Sequence, residues 1–453
     1  MTTLVPHRFP AVSKEDWLAQ VRKDLKDSAP ADSLRWLTPD GFPLDPYYTA
    51  EDLTGLPLAT IQAAQKSHPG WLNTPAVRTD DDRTTNSRLR DALAGGADAL
   101  LVTASTQTNL PQLLNGLKLS DTPVFFRLDG NATAFLTSLR SVAPYQLKGG
   151  LLYDVIAHRL LQPDATTDPW TDLADAGRLT TDSPHFRPLC ASGHVFHNAG
   201  ATATQELAFL LGGLAEQYDA LTDRGLTVAQ LAAQTMLSVS VGTSYFFEIA
   251  KLRALRVLWQ RFLTAYEPAL TTTAFIHART STFYDARATP YTNLLRATTE
   301  AMAAVVGGCD ALTVHPYDTV PGATGDRAFA ERLARNVSIL LKEEAHLDKV
   351  ADPSAGSYYI DVLTHQLTEA AWALFLRVEA MGGLLSAFEA GFLRSELDQS
   401  YHAGVEAVRN GKVLVGVTKF RFDDPAQKPP GQAVADEPAP PLLPNRRLAA
   451  AFD

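Results

Sequence analysis

The amino-acid sequence predicts an α/β fold: a (β/α)8 TIM barrel with an extended N-terminal arm and a C-terminal proline-rich tail. Three observations predict it. Eight short, β-rich apolar runs occur at 99–103, 124–128, 150–154, 188–192, 237–241, 273–277, 312–315 and 357–360, and eight is the number such a barrel needs. Their apolar character is continuous rather than alternating, which suits parallel strands covered on both faces. Long helical patterns separate the later runs, as parallel crossovers require. An open doubly wound sheet accounts for the same alternation; the count of eight favours closure. The expected division is an arm at 1–88, a barrel at 89–422 and a tail at 423–453.

At the start, Phe9-Pro10 leads to Ser13, an N-cap candidate with Asp16 three residues on, after which Trp17, Val21 and Leu25 share one helix face. The stretch that follows is rich in Pro, Gly and Asp, and Trp36, Phe42, Tyr47, Tyr48 and Trp71 are scattered along it. Two readings stand side by side: the aromatics tie the segment to its own domain, or they anchor an arm on a partner subunit. Helical periodicity then runs through 202–218, 245–262, 291–306, 328–346 and 363–381, the third stopping at Gly307-Gly308 and the last at Gly382-Gly383. The tail carries Pro429, Pro430, Pro438, Pro440, Pro441 and Pro444, which is linker chemistry.

Composition narrows the class. The 453 residues carry a formal net charge of −10, with 45 % hydrophobic and 20 % charged residues, enough apolar material for a large core. An acidic balance without a Lys/Arg cluster argues against nucleic acid or an anionic membrane as partner. No apolar run is long enough to span a membrane and no secretory leader is visible. Cys190 and Cys309 make no disulfide framework, so the expected location is the cytoplasm.

In a barrel, chemistry collects where strands end. The run ending at Ser192 continues Gly193-His194-Val195-Phe196-His197-Asn198, a later one ends at His277, and another at His315. His194, His277 and His315 therefore converge on one pocket in this reading. Imidazoles are acid/base groups and metal ligands, yet no paired His-x-His and no carboxylate pair accompany them, so no metal is expected. There is no phosphate loop, no dinucleotide fingerprint and no nucleophile elbow.

Several segments resemble the methylmalonyl-CoA mutase family. They are His197-Asn198-Ala199-Gly200-Ala201-Thr202, Tyr245-Phe246-Phe247-Glu248-Ile249-Ala250-Lys251-Leu252-Arg253, Tyr291-Thr292-Asn293-Leu294-Leu295-Arg296, Asp352-Pro353-Ser354-Ala355-Gly356-Ser357-Tyr358-Tyr359 and Gly416-Val417-Thr418-Lys419-Phe420. The opening segment is similar to that of the family's small, or β, subunit. The resemblance implies a part in isomerising succinyl-CoA and (R)-methylmalonyl-CoA by adenosylcobalamin radical chemistry. The family's catalytic chains present Ser-Gly-Tyr-His before the shared Ala-Gly-Ala. Ungapped alignment puts Ser192, Gly193, His194 and Val195 there, so Val195 occupies the catalytic His position and His194 the Tyr position. Valine neither gives a proton nor makes a hydrogen bond. The cobalt-ligating D-x-H-x-x-G of the family's cobalamin domain does not occur.

The resemblance thus implies a non-catalytic small subunit lacking the C-terminal cobalamin-binding domain and paired with a catalytic large subunit. Catalytic and cofactor-binding residues are none in this reading, and adenosylcobalamin belongs to the large subunit. His194, His197, Asn198, His277 and His315 form a vestigial pocket with possible residual acyl-CoA binding. Two other readings are a substrate-binding half of a split mutase working with a separate cobalamin-binding chain, and an independent barrel enzyme using the three histidines.

Overall fold

The computed structural model describes residues 12–26, 31–161, 168–320, 326–421 and 443–452. The Phe9-Pro10 start and the 422–442 part of the tail lie outside them.

The first helix, Lys14–Leu25, forms where the sequence places it. Ser13 Oγ accepts from the Asp16 amide at 3.1 Å, and the Asp16 carboxylate accepts from the Ser13 amide at 3.0 Å, a reciprocal cap. No residue of this helix is fully buried. It is held by Lys14, which pairs with Asp45 and Asp52, and by Trp17 against Tyr47. Beyond it, β1 (Trp36–Leu37) and β2 (Pro43–Leu44) make a small antiparallel hairpin. The arm's aromatics lie on its own chain. Phe42 stacks on Phe247, Tyr48 meets Tyr359, and buried Trp71 donates to Ser338 Oγ at 2.8 Å. Trp36 and Tyr47 keep about half their surface free, at 48 % and 47 %.

Among the described residues, ten further strands form two five-stranded, wholly parallel sheets. One runs β3-β12-β11-β10-β9, comprising Leu72–Asn73, Ala311–Thr313, Ile276–Thr280, Thr235–Val241 and Leu189–Ser192; the other runs β4-β5-β6-β7-β8, comprising Ala76–Val77, Leu100–Ser105, Val124–Asp129, Lys148–Leu151 and His185–Arg187. The sheets share two runs of chain. β3 passes into β4 across Thr74-Pro75, and β8 passes into β9 across Pro188. Proline has no N–H to give a ladder, so the hydrogen bonding forms two arcs rather than one unbroken ring.

Two expectations about the strands need correcting. The run 357–360 is no strand: Ser357 caps the helix Tyr358–Ala380, and its Ser-Tyr-Tyr-Ile pattern is the first turn of that long apolar helix. The first strand is instead 72–77, which the sequence hid as two-residue pieces either side of a proline. Smaller shifts have local causes. The run at 150–154 ends at Leu151 because Asp154 turns to cap the next helix, accepting from the Ile156 and Ala157 amides at 2.8 and 3.1 Å. The expected helices appear as Ala203–Thr222, Tyr245–Tyr266, Pro290–Val306, Arg327–Glu343 and Tyr358–Ala380.

Strand parity sorts side chains into two environments. Leu237, Val239 and Val241 of β10 pack outward into a large cluster with Leu207, Leu211, Leu255 and Leu363 of the helices. Met236 faces inward with Leu101, Phe125 and Cys190. Phe125 of β6 stacks on Phe275 and on His277 of β11 with centroids 6.0 and 6.3 Å apart. The two sheets therefore face one another across an interior, which Phe125, second in β6, and Phe275, just before β11, plug near the N-terminal ends of the strands. No helix among the described residues is long and apolar enough to cross a membrane.

Candidate functional site

The inward positions beyond this plug hold hydroxyls, imidazoles and guanidiniums. Ser192 ends β9, and Gly193 turns the chain so that the short helix His194–Ala199 begins at once. Only glycine fits there, because a Cβ would sit 2.7 Å from the Glu206 side chain. The turn aims His194 back inside, where its Nδ1 lies 2.7 Å from Ser240 Oγ and its Nε2 lies 2.8 Å from Ser238 Oγ. Ser238 Oγ also lies 2.8 Å from His277 Nδ1, and His277 Nε2 lies 2.9 Å from Thr313 Oγ1. Thr313 Oγ1 donates to the Thr74 carbonyl at 2.7 Å.

The direction of every bond in this chain follows from its last link. A carbonyl only accepts, so Thr313 spends its proton there and must accept from His277 Nε2–H. His277 Nδ1 then accepts from Ser238, which in turn accepts from His194 Nε2–H, and His194 Nδ1 accepts from Ser240. Both histidines are neutral Nε2–H tautomers with both ring nitrogens engaged. Burial, with Arg279 adding to it, pushes their pKa values well below the usual histidine range. His315 reaches the same state separately: Nδ1–H donates to the Thr280 carbonyl at 2.7 Å, and Nε2 accepts from Arg279 at 3.1 Å. Burial, again with Arg279, lowers its pKa to about 3.

The sequence-predicted residues thus divide. His194, His277 and His315 meet in the interior, but the expected strand end at His277 is corrected: the strand runs Ile276–Thr280, so His277 is its second residue and reaches the others by facing inward rather than by ending the strand. His197 and Asn198 do not join them. His197 lies behind, with Nε2 2.7 Å from Ser281 Oγ and Nδ1 3.5 Å from Glu206. Asn198 offers its backbone carbonyl to the Arg446 amide at 2.7 Å. Val195 is half-buried against the helix core. The segment Leu443–Phe452 lies over these loops: Arg446 pairs with Asp398, and the Leu448 amide donates to the Phe283 carbonyl at 2.7 Å.

Behind β10 lies a second polar cluster that the sequence did not announce. Fully buried Glu206 accepts from the Ser240 amide at 2.9 Å and from Lys251 Nζ at 2.8 Å; Lys251 also donates to the Ser240 carbonyl at 2.7 Å and sits 2.6 Å from Glu248. Burial alone would raise the Glu206 carboxyl, but Lys251 and His197 outweigh it and hold it at about 2. Burial likewise acts to lower Lys251, and Glu206 and Glu248 overcome it.

Chemically, these arrangements consume their own reactive groups. Neither His194 nor His277 has a free lone pair for a substrate proton or a metal, and His315 has given its acceptor nitrogen to Arg279. An axial ligand for cobalt needs such a lone pair, and these three histidines do not offer one. Among the described residues, no three His, Cys, Asp or Glu side chains are placed to hold a metal ion.

A parallel α/β scaffold whose interior histidines have both ring nitrogens engaged by neighbouring side chains and backbone defines an enzyme-like chain with a self-satisfied site. The family described as methylmalonyl-CoA mutase matches residues 96–439. The chain is 34 % identical over 442 residues to the "Methylmalonyl-CoA mutase small subunit" of Porphyromonas gingivalis, covering 91 % of this chain and 70 % of that one. A protein of the same name from Streptomyces virginiae is 31 % identical over 98 % of this chain and 76 % of its own length. The "Methylmalonyl-CoA mutase" of Rhizobium meliloti is 29 % identical over 90 % of this chain, which spans 64 % of that relative's length. The chain belongs to the methylmalonyl-CoA mutase family.

Proposed function

We propose that this chain is the non-catalytic small subunit of a heterodimeric, adenosylcobalamin-dependent methylmalonyl-CoA mutase. It pairs with a cytoplasmic catalytic large subunit that holds the cofactor, and it acts by stabilising that subunit. The observation that carries this reading is at the Ser192–Val195 turn. Val195 stands where the family's catalytic chains have their histidine, and His194, in the tyrosine position, has both ring nitrogens committed to Ser238 and Ser240. The small-subunit names of two relatives support the same assignment. A subunit that binds only its folded partner stabilises it by mass action and needs no active site. We read the two parallel sheets as arcs of one (β/α)8 barrel, interrupted at Pro75 and Pro188; the Phe125–Phe275 stacking across the interior supports this.

Co-expression with a large subunit tests the proposal. The expected result is co-elution as a one-to-one complex, a higher melting temperature for the large chain in that complex, and no isomerisation of methylmalonyl-CoA by the small chain alone. Separate elution of the two chains, or turnover by this chain without its partner, overturns it.

A further inference from the structure

The imidazoles and hydroxyls of the interior are matched to one another; two guanidiniums above the plug are not. Arg127 of β6 and Arg279 of β11 occupy inward positions one step beyond the plug, because Arg127 lies two residues after Phe125 and Arg279 two residues after His277, and Phe125 and His277 stack on each other across the interior. They therefore face each other across the interior. Neither forms an ion pair with a carboxylate among the described residues. The Nε–H of Arg279 is buried and has no acceptor among the described residues, while Nη2 of the same guanidinium donates a hydrogen bond to His315 Nε2, which holds it in place. Arg127 is exposed, as is Thr103, its inward-facing neighbour in the β5–β6 register, so the interior is open to solvent on this side. Asp129, two residues beyond Arg127, is exposed at the rim.

Two guanidiniums held together without a counter-charge are unfavourable, and more so where water is scarce. Burial and the charge of Arg127 together draw the Arg279 pKa down to about 9. His194, His277, His315 and Cys190 bring no negative charge at neutral pH, and Asp129, the carboxylate further along the Arg127 strand face, lies at the exposed rim and forms no ion pair with either arginine among the described residues. A bound anion would supply what both arginines lack. A planar guanidinium edge matches the paired oxygens of a carboxylate or phosphate.

We propose that the rim of the interior is a binding site for a small oxyanion, a carboxylate or phosphate group, gripped between Arg127 and Arg279 above the Phe125–Phe275 plug. This site is independent of the subunit assignment and uses none of the positions that carry it. Titration of inorganic phosphate and, separately, of succinate into the full chain in a buffer free of other small oxyanions tests the idea by calorimetry and thermal melting. Saturable binding of either anion, with a melting temperature that climbs with its concentration, supports the site and tells which of the two groups it takes. R127Q and R279Q are each expected to weaken that binding at least about tenfold, roughly the worth of one charge-assisted hydrogen bond. Without anion, R127Q should melt no lower than the natural chain, because it relieves a repulsion. Failure of both anions to bind at about 10 mM, weaker than even a millimolar site, overturns the proposal. So does R127Q binding as tightly as the natural chain, or melting well below it in anion-free buffer.

Discussion

Two polar clusters meet at Ser240 and survive burial by opposite means. On the inward side, the chain Ser240–His194–Ser238–His277–Thr313 is neutral throughout, and every proton has one acceptor. On the outward side, Glu206, Lys251 and Glu248 stay fully charged and offset one another. The difference follows from what each neighbourhood offers. The interior contains Arg279 but no opposing carboxylate, so a charged imidazole would face repulsion and desolvation together. The helix shell brings carboxylates from two helices onto one ammonium. Neutral matching is direction-dependent and fails link by link, whereas a charged cluster fails all at once when one partner goes.

That contrast orders the experiments. The largest effect is expected from Lys251→Met, which leaves Glu206 and Glu248 buried without the ammonium they share; a loss of about 3–5 kcal/mol in urea unfolding is the expected outcome. A loss below about 1 kcal/mol would place this cluster with ordinary surface pairs and erase the contrast.

Acidity separates the two clusters next. Histidines held below their unfolded value near 6.5 contribute stability that is complete above that pH and lost as pH falls towards their folded values, about 1.4 kcal/mol per unit each. For His315 that window runs from about 6.5 down to about 3. Glu206, held at about 2, gives way only below its unfolded value near 4.5. Asp154 and Asp285, raised by burial to about 6 and about 7, act in the opposite sense and gain stability as pH falls. The informative quantity is therefore a difference. H315Q should show a stability–pH slope between 6.5 and 4.5 that differs from the natural chain's by about 1.4 kcal/mol per unit. Parallel slopes would mean that His315 is not held neutral.

Single links of the neutral chain come next. Thr313→Val removes the acceptor of His277 Nε2–H and is expected to reduce stability by about 1–3 kcal/mol, read from the urea midpoint. Ser240→Ala, at the free end, removes only the donor to His194 Nδ1 and should lose about 1 kcal/mol. If Ser240→Ala proved the worse of the two, the donor order running from Ser240 to Thr74 would be wrong.

Much of this was legible in advance, and for identifiable reasons. Continuous apolar runs marked β5, β6, β9 and β10 because strands covered on both faces show no alternation to misread. The first strand was not legible: Pro75 cuts it to pieces too short for any periodicity. The 357–360 run was misread because β-rich residues opening a buried helix look like a strand until Ser357 is seen capping it. His194 and His315 were legible because they follow strand ends, whereas His277, read as the end of the run 273–277, is the second residue of β11. Ser238, Ser240 and Thr313 were overlooked, since a hydroxyl in an apolar strand is unremarkable on its own. Arg127 carried a usable signal, an arginine two residues after Phe125 on the same strand face, but nothing to say which face was inside.

The sequence by itself determined the α/β alternation, the Ser13 cap and the family resemblance, because each is local or depends only on order along the chain. The tertiary structure alone decided that the histidines are neutral and spoken for, that Lys251 has two buried carboxylates, and that Arg127 and Arg279 face each other without one. Those facts depend on distances between residues tens to hundreds of positions apart, and on a local dielectric that exists only once the sheets and helices have closed around them.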